Sequence, residues 1–201
     1  QSNWVTSATS YITDEADMPQ WQIGNTSVAE GGYLTWDVSL HTPTKASSWT
    51  SINFENITTS GDTGSWQVSV DGGKTWNTQI FYGNKIAVPK GSSGFKVRLK
   101  TNDDNVYEGN ETIRLKVTES AGQNGNDQGV VQTTSTAIGT ITDAADKPVV
   151  KSVSNVTANE GDSAAVTITL SNASTSTTRV FVDAYSGSAT EFGSNADFNT
   201  K

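Results

Sequence analysis

Apolar residues in this chain recur at every second position and nowhere at helical spacing, and that pattern limits the kind of core it can build. Trp66, Val68 and Val70, then Phe95, Val97 and Leu99, Ile113, Leu115 and Val117, and Val166, Ile168 and Leu170 all follow the alternation. Successive side chains of a strand point to opposite faces, so such runs are strands with one buried and one wetted side. Between them stand the turn clusters GDTG, DGG, GSSG and AGQNGND, and no stretch of ten or more residues has helical periodicity. Half-wet strands bury their apolar sides against a second sheet, which makes a β-sandwich the expected architecture.

The chain also repeats itself. ITDEADMP begins at Ile12 and ITDAADKP at Ile141, 129 positions later. SVAEGGYLTWDVSL is matched by TANEGDSAAVTITL, so that Glu30 falls on Glu160, and Leu34, Trp36, Val38 and Leu40 fall on Ala164, Val166, Ile168 and Leu170. Self-similarity at a fixed period marks tandem modules of one fold. The expected fold is all-β, an immunoglobulin-like antiparallel β-sandwich in tandem, with about seven strands per module. Residues 1–18 read as the terminal strand and linker of a preceding module, 19–147 as a complete module, and 148–201 as the opening half of the next. Half a sandwich would leave apolar faces in water, so the N-terminal strand or a neighbouring chain is expected to complete residues 148–201.

Charge and composition narrow the partners. A formal net charge of −8 argues against nucleic acid, whose phosphates need a basic face. The absence of cysteine removes disulfides, thiolate metal sites and cysteine nucleophiles. No run approaches the roughly 18 apolar residues of a membrane span, and the first residues lack the basic and apolar regions of a signal peptide, so direct membrane insertion is not expected. Serine, threonine, asparagine, glycine and aspartate dominate the connections, a balance that suits a secreted protein.

The most concentrated chemistry lies in DDNVYEGNE, which packs Asp103, Asp104, Glu108 and Glu111 into nine positions. Carboxylates crowded this closely repel one another, and a hard, oxygen-seeking dication relieves the repulsion. The strands on either side place this loop at one end of the sandwich. Glu30 sits in a turn before a strand, Asp62 in the SGDTG turn, and Asp143 with Asp146 at the end of a final strand. Antiparallel topology can gather these acids at one pole, where they offer more oxygens than the roughly six to eight that one Ca2+ takes, so two or more ions are expected. In the linker, Asp14, Glu15 and Asp17 make either a charged hinge or a further calcium site that stiffens the joint.

With these motifs the sequence resembles the Calx-beta module and, more closely, the immunoglobulin-like repeats of giant bacterial repeats-in-toxin adhesins, over essentially the whole chain. The resemblance implies calcium ligands at Glu30 in VAEGG, Asp62 in SGDTG, Asp103, Asp104, Glu108 and Glu111 in DDNVYEGNE, and Asp143 in TITDAAD. In the second module it implies Glu160 and Asp197, the latter in NADF. Family members often continue the final strand into a run of aspartates; Ala144 and Ala145 stand here, leaving Asp146 as the acid that can substitute. The resemblance further implies a secreted or cell-surface protein that mediates adhesion. Its partners would be neighbouring modules of the same adhesin and a peptide or glycan on a host or microbial surface. The alternative is a pure spacer with no ligand of its own.

Other motifs have structural expectations. SVDGGKTW, residues 69–76, fits the Asp-box pattern that sialidases carry as structural turns: Gly72 and Gly73 supply positive φ, Asp71 accepts backbone N–H groups, and Trp76 packs on the strand behind. Trp36 and Trp66 are core by register. Trp4, Trp21 and Trp49 lie outside clear alternation and are expected to pack on a linker or neighbouring module, or to serve as platforms for a sugar ring or a peptide side chain. His41 is expected in an exposed loop. Glycoside hydrolysis needs two acids facing each other across a cleft of about 5 to 9.5 Å, one with a raised pKa. Acids gathered on a cation do not fit that role, and Arg98, Arg114 and Arg179 do not form the arginine cluster of a sialidase. No catalytic activity is expected.

Overall fold

The structure is a computed structural model that describes residues 19–55, 61–78, 84–120, 134–185 and 187–189. These fall into two compact units. One takes in the described residues up to Asp103 together with Glu111–Thr142, and the other Asp104–Asn110 with the described residues from Asp143 onward.

The first unit is a β-sandwich. Its strands are β1 (Trp21–Ile23), β2 (Thr26–Ala29), β3 (Tyr33–Leu40), β4 (Ser48–Glu55), β5 (Thr63–Ser69), β6 (Lys85–Val88) and β7 (Gly94–Thr101). After β8 (Val106–Tyr107), which belongs to the second unit, come β9 (Glu111–Ser120) and β10 (Thr134–Thr142). One sheet runs β1-β3-β7-β5 and the other β2-β10-β9-β4-β6. The pairing is antiparallel except for β2 on β10, which is parallel.

Alternation in the sequence becomes layering in the fold. Leu34, Trp36 and Val38 of β3, Phe95, Val97 and Leu99 of β7, and Ile113, Leu115 and Val117 of β9 are buried in one core. Each such aliphatic side chain contributes roughly 1.5–3 kcal/mol by leaving water. Trp36 is the largest of the fully buried side chains, and space for it comes from across the sandwich. A Cβ on Gly139 of β10 would lie 2.3 Å from Trp36 Cζ2, so glycine there admits the indole ring.

The first strand changes sheets. β1 pairs with β3 and β2 with β10, and the break between them is Gly24-Asn25, where Asn25 Oδ1 accepts a hydrogen bond from Ile138 N at 2.8 Å. This places Trp21 inside, contrary to the expectation from sequence. It is buried, meets Phe95 edge-on at 5.0 Å, and donates Nε1–H to Glu119 Oε2 at 3.2 Å. Trp66 is half-buried at the margin of the core, 5.7 Å from Phe54. Val70 is exposed because β5 ends at Ser69, where the chain enters the Asp71 turn. Trp49 is half-buried and His41 exposed, while Trp4 lies outside the described residues.

The second unit holds β11 (Val150–Val153), β12 (Ile168–Leu170) and β13 (Ala173–Ser174). β11 and β12 pair antiparallel with Val150 opposite Leu170; the repeat counterparts Trp21 and Leu40 are opposed in the same way. β13 pairs in parallel with β8. Val166 precedes β12 and is exposed, as are Val150 and Val153, whereas Ile168 and Leu170 are half-buried. Residues 1–18, read as a terminal strand, lie outside the described residues.

Candidate metal centre

In the first unit, four of the acids singled out in the sequence stand at one end of the sandwich because strand register puts them there. Thr63 is opposite Thr101, Tyr33 opposite Lys100, Ile141 opposite Glu111, and Thr142 beside Ala29. The β2–β3 turn, the start of β5, the end of β7 and the start of β9 therefore coincide. Glu30 is fixed by its own amide, which donates to Thr142 O at 3.2 Å, and the turn is completed by Gly31 at φ 73° and by Gly32 N donating to Ala29 O. Asp103 packs on that turn: a Cβ on Gly31 would be 3.4 Å from Asp103 Cβ. Asp62 is anchored by its carbonyl, which accepts Asn102 N at 2.8 Å, and it presents a carboxylate oxygen within 4.8 Å of one from Glu111. Asp62 Oδ2 is buried without a hydrogen-bond partner.

In the second unit the organising group is Asp143, only 2% exposed. Its Oδ2 accepts the backbone N–H groups of Glu108 and of Gly109, the latter at 3.1 Å, which ties residues 108–109 of the acidic loop to Asp143. Its Oδ1 is buried and has no hydrogen-bond partner. Asp146 offers a carboxylate oxygen within 4.8 Å of one from Asp143, and accepts a hydrogen bond from Asn172 Nδ2 at 3.0 Å. Asp104 is engaged locally: Oδ1 accepts Val106 N at 2.9 Å and closes a turn in which Asn105 takes φ 62°. Glu108 is three residues before Glu111, and Thr142, the acceptor for Glu30 N, is the residue before Asp143.

Two unit negative charges 4.8 Å apart repel by about 3.5 kcal/mol at an effective dielectric constant near 20. Two such pairs are a large fraction of a domain's net stability of about 5–15 kcal/mol. An anionic oxygen buried without a donor adds about 1–3 kcal/mol or more. Neutralisation by a cation removes both costs, and the donor set decides which cation. Every candidate ligand is an oxygen, which favours hard ions over zinc or copper. Oxygens that share one Ca2+ at about 2.4 Å can be at most about 4.8 Å apart, the limit within which both pairs fall.

Other candidates stand elsewhere. Glu160 is exposed in a turn where Asp162 N donates to Asn159 O at 3.1 Å and Gly161 takes φ 87°. Asp14, Asp17 and Asp197 lie outside the described residues. One acid of consequence has no place in the sequence-based site. Glu119, 7% exposed, accepts Thr50 Oγ1 at 2.8 Å and Trp21 Nε1, and burial pushes its carboxyl above the ordinary range while these donors pull it back. Its position was readable, since 113, 115, 117 and 119 share one strand face.

No family model matches the chain, and no curated protein matches it in sequence. Among solved structures it is similar to the class 5 fimbriae chaperone CfaA, at 11% identity and TM-score 0.38, over 74% of this chain and 66% of that one. It is also similar to CBD12 from CALX1.2, at 16% identity and TM-score 0.31, over 61% of this chain and 43% of that one. The chain thus spans less than two thirds of either neighbour. The described residues form an all-β fold whose first unit is an immunoglobulin-like β-sandwich.

Proposed function

We propose that this chain is a calcium-stabilised module of an extracellular bacterial adhesin. The observation that carries the calcium reading is Asp143: a buried carboxylate with one oxygen held by two backbone amides and the other without a protein donor, beside a second carboxylate. Asp62, beside Glu111, likewise has a buried carboxylate oxygen without a hydrogen-bond partner in the first unit. Each pair supplies the acidic part of a site, and carbonyls, water and flanking acids complete an oxygen shell of six to eight. Extracellular modules of this kind bind with dissociation constants of roughly 10⁻⁴ to 10⁻³ M, so the sites fill in a calcium-rich medium and empty in a calcium-poor one. Ions that bind only the folded chain then make its stability a function of where it is.

Titration calorimetry of Ca2+ into chelator-stripped protein tests the metal. Saturable binding of two or more ions in that affinity range is expected, and a featureless titration would sink the proposal. The adhesin reading is supported by the tandem repeat, the absence of cysteine and the acidic, serine- and threonine-rich composition. Its test is calcium-dependent retention of labelled protein on intact bacterial or host cells. Equal retention with and without chelator would leave only the spacer role.

A further inference from the structure

The outer face of the first unit's four-stranded sheet carries a built arrangement that the calcium reading does not use. On β7, Lys96, Arg98 and Lys100 alternate with the buried Phe95, Val97 and Leu99, so three cations share the wetted face. Lys96 is paired with Asp37. Arg98 and Lys100 have no carboxylate partner among the described residues, although the chain as a whole carries a net −8.

Arg98 is fixed in place. Its guanidinium carbon lies 4.4 Å from the centre of the Tyr33 ring and 4.1 Å from that of Trp76, and its Nε donates to Gln67 Oε1 at 2.7 Å. Trp76 is delivered by the Asp-box turn. Ser69 Oγ, Lys74 N and Thr75 N donate to Asp71 Oδ1 at 2.7, 3.0 and 2.9 Å, Thr75 Oγ1 donates to Oδ2 at 2.6 Å, and Gly72 and Gly73 take φ 77° and 97°. Lys100 Nζ stands 5.0 Å from the Tyr33 ring centre and donates to Gly31 O. Tyr33 itself is 42% exposed.

We propose that this face binds carboxylate-bearing saccharides. A guanidinium held against two rings and engaged through its Nε keeps its two terminal nitrogens as a fork for a carboxylate, at little further entropic cost. Tyr33 offers a partly exposed ring beside the guanidinium, and Lys100 a second positive charge. A peptide would gain little here. β7 is paired on both sides, by β3 and β5, so a peptide backbone cannot pair with the strand that carries these cations. Recognition rests on side chains alone, and a sugar acid supplies both the anion and the ring contact.

The test uses the whole 201-residue protein on an array of uronate-containing and sialylated oligosaccharides with their neutral counterparts, followed by calorimetry with an oligouronate. Binding of the acidic sugars and not the neutral ones is expected. Arg98→Ala and Arg98→Lys should each weaken it at least tenfold, the second keeping the charge but not the planar fork. Lys100→Ala, which leaves the ring stack in place, should weaken it several-fold, and thermal melts check that each variant is folded. Affinity should be the same in chelator as in calcium, which separates this site from the metal centre. Failure to bind any acidic saccharide, equal binding of neutral ones, indifference to all three substitutions, an acidic peptide binding as tightly, or a strict calcium requirement would each overturn the assignment.

Discussion

Replacing Asp143 with asparagine should stabilise the fold in chelator and lose most of that advantage in calcium. The change is isosteric, and the introduced amide side chain would still accept the backbone N–H groups of Glu108 and Gly109 through its carbonyl oxygen. What disappears is the charge, together with the buried oxygen that has no donor. In chelator the Asp143→Asn variant loses about 1 kcal/mol for each amide bond that becomes neutral instead of charge-assisted, and regains about 1–3 kcal/mol from the anion no longer buried unsatisfied and about 3.5 kcal/mol of repulsion from Asp146, so it should be more stable than the parent by about 2.5–4.5 kcal/mol. In about 10 mM calcium the parent gains about 2.7 kcal/mol per site if the dissociation constant is near 10⁻⁴ M, and the variant forgoes this at the affected site. At about 2–4 °C per kcal/mol for a chain of this size, the variant should melt about 5–18 °C above the parent in chelator, and calcium should move that gap by about 5–11 °C in the parent's favour. Differential scanning calorimetry of both, in both buffers, reads the result. A gap of the same size in the two buffers would mean that Asp143 acts through packing alone, and the calcium argument built on it would be refuted.

Three further outcomes are expected. Glu119→Gln should raise the melting temperature at pH 7. A carboxyl whose folded pKa is raised binds its proton more readily when folded, so its stabilisation is full below the unfolded value and lost as pH rises through the folded one; melts from pH 4 to 8 should show the variant's advantage shrinking towards pH 4, and a pH-independent difference would contradict this. The hydrogen bonds that Asp71 accepts from Thr75, Ser69 and Lys74 hold its carboxyl far below the ordinary range. The turn's stabilisation is therefore complete above the unfolded pKa and lost only as pH falls through the folded one, so amide exchange at Lys74 and Thr75 should stay slow well into acid and speed up in Asp71→Ala throughout that range. Gly139→Ala would drive a methyl into the Trp36 ring and cost about 1–3 kcal/mol in urea unfolding; an unchanged midpoint would show that the ring has room to move.

Much of the fold was legible because long strands in a two-sheet sandwich print their faces directly into the sequence. β3, β7 and β9 have eight, eight and ten residues, enough for the alternation to be read without ambiguity. Trp21 was misplaced because β1 has only three residues, too few to show a period, and because its burial depends on the sheet switch at Gly24-Asn25. Val70 and Val166 continue an apolar alternation past the point where the backbone leaves the sheet, and sequence period alone does not show where pairing stops. Glu119 was passed over because a charged residue on an inward-facing position contradicts the usual burial preference, and only tertiary donors on β4 and β1 make it tolerable.

The acids were legible as a group and less so as individuals. Crowding in DDNVYEGNE drew attention to the right loop, yet Asp104 closes its own turn while Asp143, just past the end of β10, is the buried one. Sequence distance could not show that Asp62 and Glu111 approach within 4.8 Å, since that depends on β5, β7 and β9 ending at one level. The Asp-box was read as a turn, and its geometry agrees in Asp71, Gly72 and Gly73; its placement of Trp76 against Arg98 came from the register of β5 on β7.

The central claim is that calcium sits on these paired carboxylates, and anomalous diffraction from crystals grown in millimolar calcium tests it most directly. A calcium peak is expected within about 2.3–2.6 Å of carboxylate oxygens of Asp62 and Glu111, and another at the same distance from Asp143 and Asp146. Density that refines as water at both places, with no anomalous signal, would contradict the account.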